Sequence, residues 1–255
     1  MAESVEVVRA GLLDGIAHGF LGRSGGVSTG AVAGLNVGLG AGDDPVLVGE
    51  NRRRAAEAVA PGARLVTVYQ VHSPDCATVG REPWPESDRP HADALVTDQP
   101  GLVLGIVTAD CAPVLLSDRE AGVVGAAHAG WKGAIGGVTD STIAAMERLG
   151  ARASRIVAAV GPCIAQASYE VDTAFRDRFL GATPANDAFF TAGREAHWQF
   201  DLEGYVAARL QAAGVVAVER LGLDTYGAPA RFYSFRRATH RGEAAYGRQI
   251  SLIAP

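Results

Sequence analysis

Residues 105–133, GIVTADCAPVLLSDREAGVVGAAHAGWKG, constrain this chain more than any other stretch. They read as a strand, a polar break carrying Cys111, a second strand, a tight turn and a third strand ending at His128. The runs 103–107 and 114–116 are short and rich in Val, Ile and Leu, as buried strands are. Asp110-Cys111 interrupts them where a uniform core would place another aliphatic residue. A thiol and an imidazole at the ends of neighbouring strands can converge in space. His72 follows another strand, residues 65–69, and can join them.

The remaining pattern is of strands alternating with about four helices. Residues 5–13 read as a short strand pair or edge strand, and 18–30 as an irregular glycine-rich loop carrying one cation, Arg23. Backbone N–H groups and a guanidinium facing one ligand suit an anion; an ordinary turn with a solvated arginine is the competing reading. Asp44 caps a helix with Pro45 in its first position, and Pro61-Gly62 ends it. Its Glu50, Asn51, Arg52, Arg53 and Arg54 read as a wet face. Residues 81–92 are polar and proline-rich, an exposed loop leading to His91, Asp93 and the strand 94–97. A helix from Thr139 or Asp140 to about Leu149 precedes a strand, 155–160, and the turn Gly161-Pro162-Cys163-Ile164. Asp172 caps a short helix, 181–200 is irregular, and Asp201 caps an amphipathic helix stopped by Gly214. Residues 215–220 form a strand, and the tail returns as one or two strands with Arg236, Arg237, Arg241 and Arg248. The mixture, with tight turns such as 118–122, predicts an α/β fold with mixed sheets, one domain spanning 1–255.

Totals narrow the partners. At 48% apolar, the chain can build a sizeable core. A net charge of −5 disfavours nucleic acid or an anionic membrane, both of which reward clustered Lys and Arg. Three cysteines, Cys76, Cys111 and Cys163, give no disulfide framework and suit a reducing cytoplasm. The start of the chain carries Glu3 and Glu6 without a basic, then apolar, leader pattern, and no stretch is long and apolar enough to span a bilayer. GxGxxG after a strand, Walker A and HExxH are all missing.

His72, Cys111 and His128 form a ligand set of borderline softness, which favours Zn²⁺ or Cu²⁺ over Mg²⁺ or Ca²⁺. Three protein ligands leave a fourth position open, as catalytic sites do. Asp110 and Asp93 are candidates to fix an imidazole tautomer or carry a proton. Two alternatives use the same residues. Cys111 can be a covalent nucleophile with His128 as its base. A closed, four-ligand site would make the metal structural and the protein non-catalytic.

HGFLGRSGGVSTG at 18–30, QVHS at 70–73, ADALVTDQPG at 92–101, TADCAPVLL, HAGWKG, GPCI at 161–164 and the FYSFRR…GRQ tail occur in an order that resembles the YfiH family, the laccase-like polyphenol oxidoreductases regarded as purine nucleoside phosphorylases. The resemblance implies a layered sandwich comparable with cysteine hydrolases, and metal ligation by His72, Cys111 and His128. It implies zinc-dependent phosphorolysis of adenosine, inosine or methylthioadenosine with adenosine deamination, laccase-like oxidation with copper, or amidase editing of cell-wall precursors. Purine nucleosides and phosphate are then the partners of a monomer or homodimer. Arg23, then Arg236 or Arg248, are the candidates to hold phosphate. The tail departs from the family: where SYRR, an acidic turn and TGR are usual, this chain has Ser234-Phe235-Arg236-Arg237, a longer ATHRGEAA segment and Tyr246-Gly247-Arg248. Substrate preference is the property that departure touches.

Overall fold

The polar break at Asp110-Cys111 is where the chain leaves one sheet and enters another. The computed structural model describes residues 4–255, so Glu3 lies outside it. The strands and helices follow in the order β1 Val7–Val8, β2 His18–Leu21, α1 Pro45–Val59, β3 Arg64–Thr67, β4 Cys76–Thr78, β5 Ala94–Thr97 and β6 Leu102–Thr108. Then come β7 Ala112–Asp118, β8 Val123–Ala129, α2 Trp131–Gly136, α3 Val138–Arg148, β9 Val157–Val160, β10 Glu170–Asp172 and α4 Thr173–Ala182. The last are β11 Phe190–Ala192, β12 His197–Phe200, α5 Leu202–Ala212, β13 Ala217–Arg220, α6 Phe235–His240 and β14 Gln249–Ile253.

These strands make a five-stranded sheet in the order β1-β2-β14-β6-β3, a six-stranded sheet in the order β13-β9-β7-β8-β5-β4, and a small sheet β10-β12-β11. Both large sheets are mixed, with β3 and β6, β13 and β9, and β4 and β5 running parallel. Alternation along β6 and β7 sets the layers. Leu104 and Ile106 of β6 meet Leu115 of β7 and Ala126 of β8 in the core between the sheets. Val103 faces the other way, onto Ala55 and Val59 of α1. Val114 and Leu116 face Ile143 and Met146 of α3 and Val206 and Leu210 of α5. The result is helix, sheet, sheet, helix: the mixed-sheet α/β fold the pattern predicts, in the layered sandwich the family resemblance implies.

Helix starts follow the caps. Asp44 accepts from the Val46 N–H ahead of Pro45, and Asp172 and Asp201 cap α4 and α5 in the same way. Several expectations change. His18–Leu21 is a fully buried strand rather than loop, paired with both β1 and β14. Only Val7–Val8 of residues 5–13 is strand. Residues 181–200 include β11 and β12, whose Phe190 and Phe200 join Phe175 and Phe179 of α4 in an aromatic cluster. The tail holds a helix, α6, before its one strand. Asn51 and Arg52 of α1 are buried, not wet. No helix among the described residues is long and apolar enough to cross a membrane.

Candidate metal centre

The register of β7 with β8 sets Pro113 opposite His128 and Ala112 opposite Ala129. Cys111, one residue before β7, is thereby carried to the end of β8 beside His128. His72 comes from the loop between β3 and β4. Its Nε2 lies 3.8 Å from the Cys111 Sγ, and its ring stands at 70° to that of His128 with centroids 4.9 Å apart. The three ligand atoms lie within 4.8 Å of one another.

One buried carboxylate organises two of the three. Asp93, just before β5, accepts from His128 Nδ1 at 2.7 Å through Oδ1. Its Oδ2 accepts from the backbone N–H groups of Val71 and Ser73, at 3.0 and 2.6 Å, on either side of His72. Burial raises the Asp93 pKa, but the His128 ring and these N–H groups outweigh it and hold the carboxyl down at about 2. Burial also raises the Cys111 thiol; the charge of His128 and hydrogen bonds from both imidazoles overcome it and bring the thiol to about 6. Burial opposes charge on His128, yet Cys111 and Asp93 raise it to about 9.

The backbone is tight around this cluster. His72 and Asp110 have φ of 62° and 87°, two of the three non-glycine residues in that region among those described. Such conformations cost on the order of 1–3 kcal/mol each and persist where the surroundings hold them. A Cβ on Gly130 would lie 2.7 Å from His72 Cδ2 and 3.0 Å from Cys111 Sγ, so only glycine leaves the ligand atoms room.

The residues fit a metal ion. Zn–S of about 2.3 Å and Zn–N of about 2.0–2.1 Å at tetrahedral angles put sulfur and nitrogen about 3.6 Å apart, close to the separation of Cys111 and His72. Asp93 fixes His128 as outer carboxylates commonly fix metal-ligating histidines. No fourth His, Cys, Asp or Glu joins the set among the described residues, and a cleft of about 620 Å³ adjoins it. A closed structural site would show neither feature.

Asp110 does something else. Its carboxylate accepts from Thr225 Oγ1 at 2.6 Å, Ser234 Oγ at 2.9 Å and the Arg236 N–H at 2.6 Å. It ties the tail to the break before Cys111, and of the two candidate aspartates it is Asp93 that orients an imidazole. The expected phosphate arginines also separate. Arg23 donates to the Ala33 and Pro229 carbonyls and lies 4.8 Å over the Tyr233 ring. Arg236 donates to the Glu170 carbonyl and packs on Tyr169. Neither lines the cleft, whereas Arg248 does, together with Arg52 and Arg89. Arg52, half-way along α1, donates to Val37 O and Thr67 Oγ1 and pairs with Glu86 at 2.7 Å. A signal for it existed: Val48, Asn51, Arg52, Ala55 and Val59 recur at helical spacing along the buried stripe. Arg89, in an exposed polar loop, had none.

The family described as multi-copper polyphenol oxidoreductase laccase matches residues 17–255. The chain is 44% identical over 210 residues to a Streptomyces griseus protein named purine nucleoside phosphorylase, covering 81% of this chain and 84% of that protein. It is 42% identical to a Deinococcus radiodurans protein of the same name, covering 87% of this chain and 84% of that one. YlmD from Geobacillus stearothermophilus superposes with a TM-score of 0.89 at 32% identity, over 100% of this chain and 97% of that one. A Bacillus licheniformis YfiH structure does so with a TM-score of 0.85 at 28% identity, over 98% and 96% of the two chains.

Proposed function

The chain belongs to the YfiH family of multi-copper polyphenol oxidoreductase laccase proteins, and from that premise we propose that it is a purine nucleoside phosphorylase with adenosine deaminase activity at the same metal centre. The observation that carries this reading is one cleft lined by both a His-Cys-His ligand set and three arginines, Arg52, Arg89 and Arg248. Phosphorolysis needs a bound phosphate beside a nucleoside, and arginines are suited to phosphate by their planar, forked donors. Related proteins of 44% and 42% identity carry the phosphorylase name.

His72, Cys111 and His128 would hold zinc, with copper the alternative that laccase-like oxidation would require. Such an ion supplies Lewis acidity toward an oxygen donor and so favours deamination of adenosine. Asp93 keeps the proton on His128 Nδ1 and leaves the other ring nitrogen for the metal. Arg52, Arg89 and Arg248 bind and orient phosphate. Asp110 ties residues 234–236 of the tail to the chain just before Cys111. A true multicopper oxidase would need many more histidines gathered in one place than this chain provides, with six in all.

Metal-replete protein incubated with inosine should release hypoxanthine only when phosphate is present, and C111A should not. Equal, negligible release by both proteins would remove the reading. Cys111, His128 and Asp93 also form a nucleophile, a base and an orienting acid, and the lowered thiol favours a second reading, a cysteine hydrolase or amidase. Activity that survives chelation but not thiol alkylation would select it.

A further inference from the structure

Exposed large apolar side chains are few among the described residues: Leu39, Val46, Tyr69, Val71, Val216 and Phe235. Of these, Leu39, Tyr69 and Phe235 line the cleft that holds the metal ligands, and Val71 is the neighbour of His72. Phe235, at 51% exposure the first residue of α6, contacts the Tyr246 ring at 5.1 Å between centroids. The Arg248 guanidinium lies 4.9 Å from the centroid of that same ring, and its Nη2 donates to the Tyr246 hydroxyl at 3.1 Å. The Phe235 ring thus rests against Tyr246, which Arg248 in turn holds, while about half of its surface stays open.

We propose that Phe235 is the stacking platform for the purine base, with Tyr246 and Arg248 as its support. The inference deepens the nucleoside reading and rests on it. Three features single out a planar heterocycle. Stacking requires an aromatic face held rigid, and the Asp110 carboxylate fixes the Phe235 backbone by binding Ser234 Oγ and the Arg236 N–H on either side. The Ser234 hydroxyl also caps α6 by accepting from the Arg237 N–H. The cleft, at about 620 Å³, is in the range that encloses small molecules. The Arg52, Arg89 and Arg248 cations serve the anionic end of the reaction in the same space. Stacking reads no hydrogen-bond pattern, so Phe235 would accept adenine and hypoxanthine alike.

The test is calorimetric titration of metal-replete protein with inosine in the absence of phosphate, beside phosphorolysis kinetics for wild type, F235A and F235Y. F235A should weaken inosine binding and raise the inosine KM by about tenfold, the loss falling on KM rather than kcat. F235Y should restore binding to within about twofold, since it keeps the ring. Melting temperatures establish that the variants are folded. Unchanged inosine affinity in folded F235A overturns the proposal, whether or not the wild type shows turnover. Wild type that binds inosine through Phe235 but releases no base under phosphate overturns the phosphorylase reading instead.

Discussion

The floor of the cleft and its rim are built differently. The floor is fixed by strand register: His128 lies within β8, Cys111 one residue before β7, and Asp93 just ahead of β5, which pairs with β8. The His128 N–H donates to the Asp93 carbonyl at 2.7 Å, and Asp93 is wholly buried. The rim is made of long side chains from α1, the loop at 81–92 and the tail. Arg52 is held by Glu86, which is itself exposed, and Arg248 by Tyr246. A rigid floor suits a ligand set that must keep its distances. A rim of long side chains drawn from separate segments suits a substrate that must enter and leave. The two regions meet at the Asp110 break, where one carboxylate holds the tail to the strand carrying the thiol.

The sharpest way to break this contrast is to compare the two aspartates. D93N should cost roughly 10–100-fold in metal affinity, because the amide loses the charge and keeps only one acceptor oxygen to serve both the imidazole and the His72 loop. D110A should leave metal affinity within a few-fold and instead lower stability by about 3 kcal/mol, having left Thr225 and Ser234 without their partner. Metal competition and urea denaturation separate these outcomes. Equal metal loss in both variants would mean that floor and tail are one unit.

A smaller effect distinguishes arginines on the rim from those behind it. R248A should raise the phosphate KM about tenfold, the size expected for losing a hydrogen bond to a charged group. R23A should leave it unchanged, since Arg23 is engaged with the Ala33 and Pro229 carbonyls away from the cleft. A phosphate effect at Arg23 alone would move the anion site to the glycine-rich loop.

A last contrast is the pH response of metal-stripped protein. The Cys111 pKa is lowered from 9.0 to about 6, so its contribution to stability is complete above 9 and lost as pH falls through 6. The His128 pKa is raised from 6.5 to about 9, so its contribution is complete below 6.5 and lost as pH rises through 9. Asp93, depressed from 3.8 to about 2, adds a further loss as pH falls from about 4 toward 2. Thiolate and imidazolium therefore coexist between about 6 and 9, and iodoacetamide should alkylate Cys111 with a half-maximal rate near pH 6. A midpoint near 9 would show that the thiol and imidazole do not share charge.

The candidate site was legible to the extent that its residues interrupt a pattern. Asp110-Cys111 breaks two runs of aliphatic residues, and His72 and His128 end or follow strands, so a site at strand ends could be read directly. Asp93 was open to either an imidazole or a proton-carrying role, and only the structure showed that it serves His128 and the His72 loop together. Arg52 was hidden because its charge outweighed its helical position in the reading. Arg89 has no periodic context at all. The helix in the tail was missed because Phe235–His240 is a single short segment, too brief for a 3.6-residue repeat to appear.

The amino-acid order alone settled which segments are strands and helices where period and caps were strong, the mixed-sheet α/β class, and the three metal-ligand candidates. Those depend on interactions within a few residues: an aspartate capping the next turn, or an aliphatic run seeking burial. Tertiary structure alone decided which aspartate faces the imidazole, which arginines enter the cleft and that a phenylalanine from the tail stands at its mouth. Each of those joins segments tens to more than a hundred residues apart, and their meeting depends on how two sheets stack and in which register, which no local pattern encodes.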